Sequence, residues 1–164
     1  MMRTGGKAAI AGAGLLMALA LPVSAAEVSR SMDIPAAADV VWRYIGDFCG
    51  IAQWHPVIAK CEQSQEGGAT LRKLTTRDGG ILLERLLSFD GGKRNYSYSI
   101  LESPLPVEGY SSTIKVESLG NNSKVTWSSV FTPKGVSEAE AKVVIDGIYK
   151  AGLEKLHDKS EQVD

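Results

Sequence analysis

The sequence predicts an α+β fold in which a seven-stranded antiparallel curved sheet wraps around a long C-terminal helix. Three observations carry this expectation. Between Val57 and Pro133 apolar and polar residues alternate with the period of a strand, and turn-forming pairs cut that stretch into six runs. After it, a capping box opens a helix with one apolar stripe.

The elements follow in order. Val28 to Ile34 reads as the first strand, and Pro35 with the alanines after it opens a short helix whose apolar positions are Val41, Trp42 and Ile45. A second helical turn spans Ile51 to Trp54, and His55-Pro56 ends it, because the residue before a proline is pushed toward an extended conformation. The six later strands are separated by Gly67-Gly68, Asp78-Gly79-Gly80, Asp90-Gly91-Gly92, Ser103 to Pro106 and Gly120-Asn121-Asn122. Tyr96, Tyr98 and Ile100 share one face, as do Tyr110, Ser112, Ile114 and Val116, then Val125, Trp127, Ser129 and Phe131. A face so marked must be covered, and the cover comes last. Ser137 and Glu140 form the capping box, and the stripe runs through Ala141, Val144, Ile145, Ile148, Tyr149, Gly152, Leu153 and Leu156.

The first residues carry a different signal. Arg3 and Lys7 precede an uninterrupted small or apolar run from Ala8 to Leu21, and Pro22 and small residues to Ala26 follow. This is the pattern of a cleaved secretory signal peptide over residues 1–26, leaving a domain of residues 27–164 and a periplasmic or secreted product. A membrane anchor is not expected, since the run would give a helix of only ~21 Å against a hydrocarbon core of ~30 Å. Removing a segment with two basic residues and no acidic one leaves 16 Lys/Arg against 19 Asp/Glu. That balance, with no basic run, argues against a nucleic-acid partner. Export would place Cys49 and Cys61 in an oxidising compartment, where a disulfide between them is expected to stabilise by very roughly 3 kcal/mol. Two separate buried thiols are the alternative; a redox pair is not, because the spacing is not C-x-x-C.

The inward-facing positions are rich in Tyr and Trp and include Ser112, Ser129 and Gly152. Large flat surfaces with a few polar tips suit a ligand pocket, and equally an ordinary core whose tyrosine hydroxyls reach the sheet edge.

Several stretches together resemble one family: Val41-Trp42 to Gly46-Asp47-Phe48, Trp54-His55-Pro56, Glu84-Arg85-Leu86 to Asp90, Pro104 to Val107, and Gly147-Ile148-Tyr149 to Leu156. In order and spacing they resemble the SRPBCC superfamily, with the helix-grip fold of START domains and the birch-pollen allergen, and within it the bacterial polyketide cyclase/dehydrase or MxaD-like group. The resemblance implies an elongated cavity between sheet and terminal helix that takes a small hydrophobic or amphipathic molecule. It places Glu84 inward and Arg85 outward, and His55 with Trp54 at the pocket. Tyr98, Ile100, Tyr110, Ser112 and Trp127 would form the wall, Val144, Ile148 and Gly152 the helix side, and Leu105, Pro106 and Val107 a loop over the mouth. The turn at Asp78-Gly79-Gly80 is too short to be the gating loop of the superfamily's plant hormone receptors.

His55 and Glu84 are the candidates for acid/base work in such a cavity. They would anchor the polar end of a guest; alternatively, His55 caps the helix before Pro56 and Glu84 bonds tyrosine hydroxyls or water. Catalysis is the secondary expectation. The chain has two histidines, no G-x-S-x-G elbow, no phosphate loop and no dinucleotide fingerprint. No metal-ligand cluster and no cofactor are expected. The resemblance implies two further classes: a cyclase or dehydratase using the His55/Glu84 pair, and an accessory protein contacting a periplasmic redox enzyme. The latter would need an apolar patch such as Leu83, Leu87 and Val130 on the outer sheet face.

Overall fold

The computed structural model describes residues 25–161. The signal-peptide reading therefore lies outside the described residues, except for its last two positions. The elements run β1 (Ala26–Ile34), α1 (Ala38–Ile45), α2 (Ile51–Trp54), β2 (Ile58–Glu66), β3 (Ala69–Thr76), β4 (Ile81–Asp90), β5 (Asn95–Glu102), β6 (Val107–Leu119), β7 (Asn122–Pro133) and α3 (Glu138–Glu161). The seven strands form one antiparallel sheet in the order β1-β7-β6-β5-β4-β3-β2. This is the helix-grip arrangement, with both short helices between β1 and β2.

Local chemistry explains most boundaries. Gly67 and Gly68 sit at φ 56° and 81°, the left-handed pair that a two-residue hairpin between β2 and β3 requires. Ser137 Oγ accepts from the Glu140 N–H at 3.3 Å while Glu140 Oε2 accepts from the Ser137 N–H at 2.9 Å, so the capping box at the start of α3 is closed in both directions. His55 ends α2 in an extended conformation, φ −89° and ψ 122°. The first strand starts two residues before the alternation suggests, because Ala26 is fully buried opposite Phe131.

The concave face of the sheet holds the core against α3. Ala141, Ile145, Tyr149, Gly152, Leu153 and Leu156 are buried along the helix, with Tyr149 stacked on Trp127 at 4.5 Å. At the border of that stripe Val144 is exposed and Ile148 half-buried, on the side of the helix that lines a surface groove. Arg30 on β1 holds Asp146 on α3 through Nε at 2.8 Å and Nη2 at 2.5 Å, fixing the helix against the sheet edge.

Two of the three outer-face residues expected to form an apolar patch, Leu87 and Val130, lie far apart on the sheet. Leu87 on β4 and Val130 on β7 are exposed, but β5 and β6 lie between them with Ser99 and Ser111 paired in register. Leu87 is the bulged residue where the β4–β5 register shifts.

Candidate functional site

Between the sheet and α3 lies a cavity of about 80 Å³, lined by apolar side chains of α2, β2–β5, β7 and α3 together with His55, Glu84 and the tyrosines 98, 110 and 149. It meets an open groove of about 450 Å³ outside. Val57, Thr76, Leu82, Leu105 and Ile148 line both, so the two spaces adjoin there. The groove runs on over Pro56, Arg77, Asp78, Gly80, Pro104 and Val144. The elongated internal cavity expected from the resemblance is thus a small enclosed chamber, with most of the open volume at its mouth. Aromatic packing accounts for the difference: Phe48, Tyr96, Tyr98, Tyr110 and Phe131 contact one another in series across the sheet at centroid distances of 5.7 to 6.3 Å.

The buried acid has a partner that sequence reasoning missed. Arg72 on β3 is the register partner of Glu84 on β4, and its Nε donates to Glu84 Oε2 at 2.5 Å. Arg72 Nη1 donates to the Phe48 carbonyl, and the guanidinium lies over the Phe48 ring at 4.0 Å and the Tyr98 ring at 4.9 Å. Burial opposes the Arg72 charge, but Glu84 and the neighbouring Tyr96 and Tyr98 oxygens outweigh it and hold the pKa above the ordinary guanidinium value. Burial pushes the Glu84 carboxyl up while Arg72 pulls it back. Arg72 reads as an ordinary surface position because polar and apolar residues do not alternate cleanly in Ala69–Thr76. The usable signal was an inward Glu, which demands a cation or donor close by.

His55 is not paired with Glu84. Its Nε2 lies 3.0 Å from the Ile148 carbonyl, and its Nδ1 accepts from the Val57 N–H at 3.4 Å. A carbonyl can only accept, so Nε2 carries the proton and the ring is neutral. Burial is the main cause of a pKa lowered to about 4, with the Ile148 carbonyl opposing and the Arg72 charge adding to the shift. Nε2 thus ties the end of α2 to α3, and Nδ1 holds the turn that follows α2.

A second buried network links the aromatic hydroxyls. Ser112 Oγ donates to the Ser128 carbonyl at 2.8 Å, so the Tyr149 hydroxyl, 3.2 Å away, donates to Ser112. Tyr110 then donates to Tyr149 at 2.5 Å. Trp127 Nε1 is shared between Ser112 Oγ at 3.0 Å and the Tyr98 hydroxyl at 3.1 Å. The Tyr98 proton has no acceptor among the described residues. Burial, then the nearby Glu84, raises the Tyr98 pKa well above its ordinary value, so it stays a donor. Tyr98 and Glu84 therefore offer the cavity one hydroxyl donor and one carboxylate acceptor.

Of the expected ligand-binding residues, His55, Glu84, Tyr98, Ile100, Leu105, Tyr110, Trp127 and Ile148 line the cavity. Val144 lines only the outer groove. Trp54 is buried behind the wall with its ring 5.6 Å from Trp127, and Ser112 lies behind the wall in the hydroxyl network. Gly152 is no opening: a Cβ there would stand 2.6 Å from His55 Cδ2. Pro106 is in the β5–β6 loop, where its carbonyl accepts from the Lys134 N–H. Val107 is buried at the start of β6 rather than in the loop over the mouth. The wall also includes Tyr149, Leu74, Leu82 and Ile145, which the resemblance does not single out.

Two further features concern other side chains. Cys49 and Cys61 are joined as a disulfide with Cα atoms 5.5 Å apart. At the end of α3 helical spacing brings donor atoms of His157, Asp158 and Glu161 within 4.8 Å of one another. These groups lie on the surface, away from the cavity.

The family model described as polyketide cyclase / dehydrase and lipid transport matches residues 25–161. The chain belongs to this family. Among solved structures, this family member is similar to XoxI from Bacillus cereus, with 39% identity over 82% of this chain and 95% of that one and a TM-score of 0.78. It shares its fold with the ZhuI aromatase/cyclase from Streptomyces sp. R1128, at 21% identity over 85% of this chain and 95% of that one, TM-score 0.71. It also shares its fold with a START superfamily protein from Mycobacterium smegmatis, at 14% identity over 85% and 99%, TM-score 0.72. The family match and the likeness to XoxI put the chain within the SRPBCC superfamily. No curated protein matches its sequence. Among its described residues no helix is long and apolar enough to cross a membrane.

Proposed function

We propose that this chain is an exported binding protein that holds a small hydrophobic or amphipathic molecule without covalent chemistry. The observation that carries the reading is that the apolar chamber and the open groove share Val57, Leu82, Leu105 and Ile148 in their walls, and in this reading a guest passes between them there. An enclosed volume of about 80 Å³ is below the ~300 Å³ at which small-molecule pockets begin, so only one end of a guest enters while the rest lies in the groove. The chamber's polar groups select that end. A hydroxyl can donate to Glu84 and accept from Tyr98, whereas a carboxylate would meet the Glu84 charge at close range. Export rests on the basic and apolar pattern of the first 26 residues.

A His55/Glu84 acid–base reaction is disfavoured by the same geometry, because the hydrogen bonds of each go elsewhere. Calorimetric titration with 1-decanol and with decanoate at pH 7.5 tests the binding reading. The alcohol binds about tenfold or more tightly than the acid if the chamber acts as described. Equal affinity for the two, or none for either, removes the reading.

A further inference from the structure

The disulfide sits at a mechanical junction. Cys49 directly follows Phe48, whose carbonyl and ring both contact Arg72, and Ile51 and His55 just beyond it wall the chamber. Cys61 lies on β2, the edge strand, opposite the chamber residue Leu74. The bridge thus fastens one wall of the chamber, residues 48–55, to the edge of the sheet.

Apart from the bridge, that wall is held by the Arg72 contact at Phe48 and by the His55 contact to the Ile148 carbonyl. The helix within it is a single turn, Ile51–Trp54, with no side-chain cap, and a turn of that length is not stable alone. Both half-cystines are only partly buried, so a thiol reductant can reach the bond. Sealed, the wall leaves a chamber too small for a whole guest.

We propose that the Cys49–Cys61 bridge is a redox latch on this wall: oxidised, it clamps residues 47–57 over the chamber; reduced, it releases them and opens the interior. A dithiol reductant supplies the chemistry. One of its thiolates attacks a bridge sulfur to give a mixed disulfide, its second thiolate displaces the protein sulfur, and two protons complete two protein thiols. The reductant leaves as its own disulfide, so two electrons are transferred in balance. The bridge is then more than a staple, because its loss loosens one wall rather than the fold.

Hydrogen exchange by mass spectrometry, with and without tris(2-carboxyethyl)phosphine and with two free thiols confirmed by titration, reads this directly. Amides of residues 47–57 should exchange about tenfold or more faster on reduction while β5–β7 and α3 keep their protection. The Cys49→Ser/Cys61→Ser double variant should behave like the reduced protein and ignore the reductant. Unchanged exchange in 47–57 overturns the latch, and so does loss of protection throughout the chain, which would make the bridge a global staple. A parallel arm follows binding of 1-N-phenylnaphthylamine, which should tighten on reduction. This arm alone rests on the binding reading: faster local exchange with no dye bound in either state would sink that reading and leave the latch standing.

Discussion

Arg72 and Glu84 face each other across β3 and β4 with Nε and Oε2 2.5 Å apart, and their side chains are only 0% and 4% exposed. Arg72 also spans Phe48 and Tyr98, so one guanidinium ties the α1–α2 loop to two strands. Removing one member of a buried pair strands the other charge. Arg72→Met is expected to lower unfolding free energy by ~3–5 kcal/mol in urea denaturation. The Arg72→Met/Glu84→Leu double variant should recover enough to give a coupling of at least about 1 kcal/mol.

His55 fixes a pH dependence. Its pKa in the folded state is about 4, below the value of about 6.5 for an exposed histidine. Between those values the unfolded chain binds more protons, so this contribution is complete above about pH 6.5 and is lost as pH falls toward 4, by about 3 kcal/mol. Denaturant titrations at intervals from pH 7 to pH 4 should show that slope, and His55→Gln should flatten it relative to the parent protein.

Gly152 tests the close approach of α3 to the sheet. An alanine Cβ would stand 2.6 Å from His55 Cδ2 and 3.1 Å from Trp127 Cζ3, and His55 is held at both nitrogens. Alanine gains up to ~1 kcal/mol of helix propensity, but overpacking costs ~1–3 kcal/mol. Gly152→Ala should therefore lower stability by about 1 kcal/mol, read as a reduced denaturation midpoint with an unchanged slope.

The fold was legible because its faces repeat. Strand alternation from Tyr96 to Phe131, the capping box at Ser137 and Glu140, and the break at His55-Pro56 are local signals, and each became the expected element. The inward direction of Glu84 came from family resemblance, since both faces of Ile81–Asp90 are mostly apolar. Arg72 escaped notice because its meaning depends on a neighbouring strand and on the Phe48 loop, contacts that no spacing along the chain encodes. The true size of the interior was equally hidden. Inward aromatic residues line a pocket or fill it, and the outcome depends on how rings such as Tyr98, Tyr110 and Phe131 pack side by side.

The central claim is that the chamber and groove take one guest through the passage beside Ile148, a residue that lines both and is only partly buried. Calorimetric titration of 1-decanol into the parent protein and into Ile148→Trp, with far-UV circular dichroism confirming the fold of each, tests it most directly. The parent should bind one molecule, and the tryptophan, filling the passage, should weaken that affinity about tenfold or more. Binding of equal strength to both proteins would contradict the account.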